Sequence, residues 1–266
     1  MSAKILVLDI ERQSALVDGV WEGKQYSTWV DPSRVIEPAR TICFAYRWLH
    51  EDKTKFVAEW DGGLPQDNTA HTPGGGHKRM VEKARELFDE ADYIVGFNSK
   101  NFDVKYLRAD MWLYDLSQPA PHVDIDLMQQ ATKNFKLYAK SMKYLAKAKA
   151  MEGKEQTELG LWRKLRFADG DVLRRAQRAM KKYNIRDVDQ TLELFYDMRG
   201  WLSGMNLALY EDDIGPFCPN CASANLQYRG WAGNRTYKYR RFQCTDCGKW
   251  GRDAKSFASV QSIGIP

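Results

Sequence analysis

No stretch of about 18 consecutive apolar residues occurs in the 266-residue chain, so no segment of it can form a transmembrane helix. The first apolar run, KILVLDIER, meets Asp9 within a few positions, so no secretory signal is expected. Cysteine is scarce: of five residues, Cys43 stands alone and the others form two CxxC pairs close to the C-terminus. That scarcity disfavours a secreted disulfide scaffold, and in a reducing compartment paired cysteines point to metal before disulfide. No repeat of solenoid period is present. These absences predict an intracellular, cytoplasmic protein with no membrane partner.

What is present is enough apolar material for a sizeable core, 44% hydrophobic residues against 28% charged, and a length that suits one domain with a small appendage. The modest net charge of +5 conceals opposing blocks. Residues 1–132 carry 15 Lys and Arg against 21 Asp and Glu, and residues 133–186 carry 16 against 5. Residues 187–215 carry 1 against 7, and residues 216–266 carry 8 against 2. Clustered carboxylates that hold divalent cations, beside basic segments that neutralise phosphates, suit an enzyme acting on a polyanion; a solvated basic helix face is the alternative for each block.

Patterning predicts strands over residues 4–10, 41–49 and 54–60, with a weaker one at 25–30. The Gly- and Pro-rich stretch 61–77 reads as a loop, with His71 and His77 in solvent. A helix over 78–90 leads to a buried strand at 93–97, then a helix with a stripe of Phe102, Tyr106, Leu107 and Met111. A short strand at 122–127 precedes helix to about Leu202. Glu211-Asp212-Asp213 followed by Gly215-Pro216 reads as a linker, dividing the chain into residues 1–213 and 214–266. The result is an α/β fold with a small C-terminal unit.

Three acidic motifs carry chemistry. Asp9 and Glu11 flank Ile10 on the first strand, so the period of two puts both carboxylates on one face and Ile10 on the other. Alone, this is equally an ordinary surface acidic pair. Asn98-Ser99-Lys100-Asn101-Phe102-Asp103 follows a strand and opens a helix, which places Asp103 at the strand's carboxyl edge. There Asn98 caps the helix or holds the turn, and Phe102 is expected to pack under the site. In Tyr183-Asn184-Ile185-Arg186-Asp187 a spacing of four puts phenol and carboxylate on one helix face; separately, each is an ordinary half-buried tyrosine or helix acid.

In this order, DxE, NxxxFD and YxxxD resemble the motifs of the DEDD superfamily of 3′ to 5′ exonucleases. The Tyr subclass fits, since Lys182 stands where the other subclass carries its histidine. Asp124 or Asp126 before a helix, Ser141 to Ala146, and Tyr183 to Leu194 resemble a phage-type branch similar to the exonuclease domain of family B DNA polymerases. The resemblance covers about residues 4–202. It implies a ribonuclease-H-like mixed sheet flanked by helices, with two Mg2+ or Mn2+ ions held by Asp9, Glu11, Asp103 and Asp187 and with Tyr183 orienting the attacking water. Physics agrees: clustered carboxylates repel unless divalent cations neutralise them, and all-oxygen ligands favour Mg2+ or Mn2+ over Zn2+. A phenol with an ordinary pKa of about 10 orients water more readily than it deprotonates it at neutral pH. Implied partners are single-stranded DNA, with RNA as the alternative, and a replication protein or polymerase; a phage-encoded chain would act in the host cytoplasm. A non-catalytic nucleic-acid-binding adaptor and a structure-selective endonuclease on the same fold are the competing readings. Lys140, Lys143 and Lys147 either track the nucleic-acid backbone or form the wet side of a helix.

Cys218, Cys221, Cys244 and Cys247 match the spacing of a zinc ribbon, with one structural Zn2+ on four thiolates; a redox dithiol is the alternative. Gly248 follows the second pair as such turns prefer, whereas Ala222 follows the first. Between the pairs, alternation sets Tyr237, Tyr239 and Arg241 on one strand face and Lys238, Arg240 and Phe242 on the other. These rings either stack on bases or fill the ribbon's small core. Cys43 is expected in the core.

Overall fold

The computed structural model describes residues 2–18, 30–63, 75–151, 160–213, 215–234 and 236–259. Its first strand, β1 (Ile5–Gln13), runs past both early acids and kinks at a bulge between Glu11 and Arg12. A small hairpin, β2 (Leu16–Val17) with β3 (Val35–Glu37), leads to β4 (Arg40–Trp48) and β5 (Lys55–Ala58). Helix α1 (Gly76–Glu90), strand β6 (Tyr93–Gly96), helix α2 (Asp103–Leu113) and strand β7 (Val123–Asp126) follow. Four helices then run in succession: α3 (Leu127–Asn134), α4 (Met142–Ala148), α5 (Leu161–Phe167) and the long α6 (Gly170–Met198). The C-terminal strands are β8 (Leu226–Gly233), β9 (Tyr237–Cys244), β10 (Trp250–Arg252) and β11 (Ala258–Ser259).

Among the described residues the main sheet has the order β5-β4-β1-β6-β7, antiparallel from β5 to β1 and parallel from β1 to β7. Alternation along β1 divides its side chains between two layers. Leu6, Leu8 and Ile10 pack with Phe44 and Ile94 under α1 and α2, whereas Ile5 and Val7 pack with Val95 and Ile125 under α3 and α6. The fold is therefore the mixed α/β sheet with helices on both faces that the acidic motifs imply.

Several expectations need correction. The segment after residue 127 is broken into separate helices instead of running as helix to Leu202. His77, expected in solvent, is fully buried in the first turn of α1, with its Nδ1 2.7 Å from the Tyr114 hydroxyl. The reason is the close approach of α1 to β5: a Cβ on Gly76 would lie 1.6 Å from the Glu59 carbonyl oxygen, so only glycine fits and its neighbour is carried inside. The weak strand expected over residues 25–30, apart from Val30, most of the loop 61–77, and His71 lie outside the described residues.

The expected boundary after Asp213 falls beside Ile214, which also lies outside the described residues. The segment beyond it is docked on the end of α6. The buried Asn220 side chain donates to the carbonyls of Arg199 and Leu202, and Arg199 Nε donates back to the Asn220 carbonyl at 3.2 Å. The Leu207 amide donates to the Pro219 carbonyl at 2.6 Å, and Lys249 Nζ donates to the Leu202 carbonyl. A Cβ on Gly200 would lie 2.5 Å from the Cys247 carbonyl oxygen, so the second cysteine turn presses on the helix end itself.

Candidate functional site

Asp9 and Glu11 leave the same face of β1, opposite Ala45 and Cys43 on β4, while Ile10 turns into the other layer and is buried. This is what a period of two dictates. Helix α6 lies across that face and brings Asp187 to it, so that carboxylate oxygens of Asp9, Glu11 and Asp187 all lie within 4.8 Å of one another. All three residues are partly exposed. Three carboxylates so close repel unless cations are shared among them, and their all-oxygen chemistry fits Mg2+ or Mn2+.

Asp103 is placed differently. It opens α2, on the other side of the sheet, and its Oδ1 accepts from the Ile10 amide at 2.9 Å, so it reaches β1 between the two acids' own positions but outside the tight triad. Burial pushes its carboxyl up to about 7, opposed by the Ile10 amide. The loop that delivers it depends on Asn98, whose φ of 61° is left-handed, so Asn98 holds the turn and does not cap α2. Gly96 lets that loop close, since a Cβ there would lie 2.4 Å from Ser99 Cβ.

Asp126 stabilises the same loop. Its carboxylate accepts from the amides of Met128 and Gln129 as the N-cap of α3, and from the amides of Asn98 and Lys100. Of the two acids weighed in that region, Asp126 therefore supports the loop's backbone.

Phe102 does not pack under the site. It is 39% exposed and meets Tyr106 edge-on, with centroids 4.8 Å apart, and the Tyr106 ring carries the Arg12 guanidinium at 3.5 Å. Tyr183 sits one turn before Asp187 on α6, half-buried, with its ring against Trp162 at 6.1 Å.

One residue escaped sequence reasoning. Asn184, fully buried, donates through Nδ2 to both the carbonyl oxygen (3.1 Å) and the carboxylate Oδ2 (2.8 Å) of Asp9. It lies next to Tyr183 and turns inward; only a polar residue beside the YxxxD frame on the buried side of a helix could have flagged it.

The four paired cysteines also meet. Cys218 Sγ lies 3.6 Å from Cys247 Sγ, and Cys221 Sγ 3.6 Å from Cys244 Sγ, within one cluster. A disulfide needs about 2.05 Å, whereas tetrahedral Zn2+ with bonds of about 2.3 Å holds sulfurs about 3.8 Å apart, so the donors fit zinc. The two turns are alike: Ala222 and Gly248 both have left-handed φ, 59° and 75°, and their amides donate to the Cys218 and Cys244 carbonyls at 2.8 and 3.0 Å. Burial raises the Cys221 thiol well above its usual range and Cys247 to about 11, whereas at Cys244 burial is outweighed by the amides of Cys247 and Asp246, which lower the thiol, so a cation entering the cluster displaces protons from Cys221 and Cys247. Cys43 is buried in the core as expected, and burial raises its thiol strongly.

No described helix is long and apolar enough to cross a membrane. No curated protein matches the chain. Among solved structures it is similar to a family B DNA polymerase from the hyperthermophilic archaeon Pyrobaculum calidifontis, at 16% identity and a TM-score of 0.49, over 74% of this chain. The match covers 24% of the polymerase, so the chain spans about a quarter of that protein's length. A family model of the RNase H superfamily matches residues 41–199, which takes in Asp103, Tyr183 and Asp187 and begins after the strand that carries Asp9 and Glu11. With more than half of its length under that model, the chain belongs to the RNase H superfamily.

Proposed function

We propose that the protein is a metal-dependent 3′ to 5′ exonuclease that hydrolyses phosphodiester bonds of single-stranded or frayed DNA and releases nucleoside 5′-monophosphates. The observation that carries this reading is the meeting of Asp9, Glu11 and Asp187 on one sheet face, in a fold whose members generally hydrolyse nucleic acid. Asp9, Glu11 and Asp187 would hold the divalent ions, with Asp103 serving from the far side of β1 and Tyr183 orienting the attacking water. When bound, Mg2+ or Mn2+ would neutralise charge on the scissile phosphate and activate water at neutral pH. Asn184 fixes the Asp9 carboxylate, and the Asp126-braced loop fixes Asp103, so the chain's own part is to hold the acids in place before substrate arrives.

The direction of cleavage and the choice of DNA rest on the motif resemblance. The same reading assigns residues 1–213 to the nuclease and 214–266 to a zinc ribbon carrying one structural Zn2+. The exposed Lys140, just before α4, and Lys143 and Lys147 on α4, which buries Leu145 and Ala146, are candidates for backbone phosphate contact.

The test is cleavage of matched DNA and RNA oligonucleotides, labelled at either end, by purified protein with Mg2+ or Mn2+. Stepwise shortening from the 3′ end with mononucleotide release is expected. Internal fragments alone, or no products in either metal, would overturn the proposal.

A further inference from the structure

The two faces of the C-terminal sheet are unequal. On one, Phe242 is buried beneath Gly251, where a Cβ would lie 2.4 Å from its ring, and Trp231 packs on Phe257 with centroids 4.6 Å apart. That face carries its own acid: Asp253 accepts from Arg240 Nε at 2.9 Å and from the Tyr228 hydroxyl at 3.1 Å. Among the described residues Phe242 is its buried ring, Tyr228, Trp231 and Phe257 are exposed, Lys238 and Arg240 lie over Trp231 and Tyr228, and Asp253 neutralises one of these two cations.

Among the described residues no acid of the C-terminal segment lies on the other face, and Asp197 of α6, which shares a pocket with its Gln243 and Trp250, is paired with Lys149 at 2.9 Å. The segment's two carboxylates are Asp253 and Asp246, and Asp246 is engaged with Ser223 and Asn225 beside the cysteine turns. Yet Arg241 on β9 and Arg252 on β10 stand directly opposite each other in register, an arrangement that like charges disfavour. Neither has a carboxylate partner among the described residues. Each guanidinium instead lies over a ring, Arg241 over Trp250 at 4.9 Å and Arg252 over Tyr239 at 3.9 Å, with Tyr237 next along the same face. Trp250 and Tyr237 are 45% and 43% exposed. Arg241 Nε donates to the Arg229 carbonyl at 3.1 Å, and the two exposed guanidiniums keep further N–H groups, a layout suited to a surface that stacks bases and pairs with phosphates.

We propose that the Tyr237, Tyr239, Arg241, Trp250 and Arg252 face binds single-stranded nucleic acid, as a second strand-binding site apart from the acids. Choosing nucleic acid among polyanions rests on the nuclease reading. Asp187 lies three turns of α6 before Met198, about 16 Å along the helix from the end on which the C-terminal segment docks, so only a strand of several nucleotides could occupy both sites.

The experiment measures binding, without cleavage, of a labelled oligothymidylate of about 20 nucleotides to the full-length chain carrying Asp187→Ala, across a salt series. Adding Arg241→Gln with Arg252→Gln should weaken binding and lower the log-log salt slope by about 1.4, at about 0.7 per lost phosphate contact on single strands. Arg241→Lys with Arg252→Lys should restore the slope. Trp250→Ala should weaken binding about fivefold to a hundredfold through lost stacking. Lys238→Gln, on the opposite face, should leave the slope unchanged. An unchanged slope in the double Gln variant overturns the proposal, as does an equal loss per charge from Lys238→Gln. Failure of the nuclease reading shows separately, as absent cleavage by the parent chain, and leaves the binding result intact.

Discussion

Asn184 on α6 holds Asp9 on β1 by two hydrogen bonds from a single amide nitrogen, so the helix that supplies one acid of the triad also aims another. Asn184→Ala removes that hold without removing a carboxylate. Loss of a group that orients a metal ligand typically costs tenfold to a hundredfold in metal affinity or activity, about that range being expected here. The measurement is Mg2+ dependence of cleavage at saturating strand; an unchanged half-saturation point together with unchanged rate would count against the role.

Asp187→Ala should abolish cleavage while leaving the fold and strand binding in place, because the residue is partly exposed and its removal takes away metal and not core. Charge stabilisation by the bound ions should supply several kcal/mol, so residual activity within about tenfold of the parent would exclude the triad as the centre. Tyr183→Phe should be milder, since it keeps the carboxylates and the packing on Trp162.

If the four thiolates hold zinc as proposed, its removal should destabilise the nuclease as well as the C-terminal sheet. The Cys247 turn presses on Gly200, and Asn220 satisfies two carbonyls at the end of α6. Asn220→Ala leaves those carbonyls without that donor and should cost about 1–3 kcal/mol. Thermal unfolding with zinc content followed in parallel decides the point; a nuclease transition that ignores zinc loss would show that the docking carries no energy.

Arg40 and Glu59 form a bidentate pair, 2.9 Å at both contacts, with side chains 4% and 0% exposed. Removing one partner of a buried ion pair is strongly destabilising, so Arg40→Ala should cost about 3–5 kcal/mol. Arg40→Met with Glu59→Leu should recover most of that loss, because two well-packed apolar side chains need no partner. Denaturant unfolding of the three variants measures it.

The parts of this molecule governed by short-range periodicity were legible in the sequence. Alternation through Asp9, Ile10 and Glu11 gave the two faces of β1, and the four-residue step gave the common side of Tyr183 and Asp187. What was not legible depends on which elements meet. His77 is buried because Gly76 lets α1 touch the β5 end, Phe102 is left outside, and Asn184 becomes part of the site only because α6 crosses β1. Likewise, the linker composition at 211–216 says nothing of Asn220 reaching back to Arg199.

Asp9 and the Asn184 that holds it are 175 positions apart, and Asp187 is later still. Bringing such distant segments together carries a loop-closure cost of about 4–5 kcal/mol by the logarithmic rule, met only once the sheet offers α6 a finished surface. A chain still emerging from the ribosome with α5 just made would carry Asp9 and Glu11 on a strand and Asp103 on α2, but not Asp187, which closes the triad. The nuclease centre is therefore among the last features to assemble during synthesis, and a partly made chain would pass through the cell with its acids not yet armed.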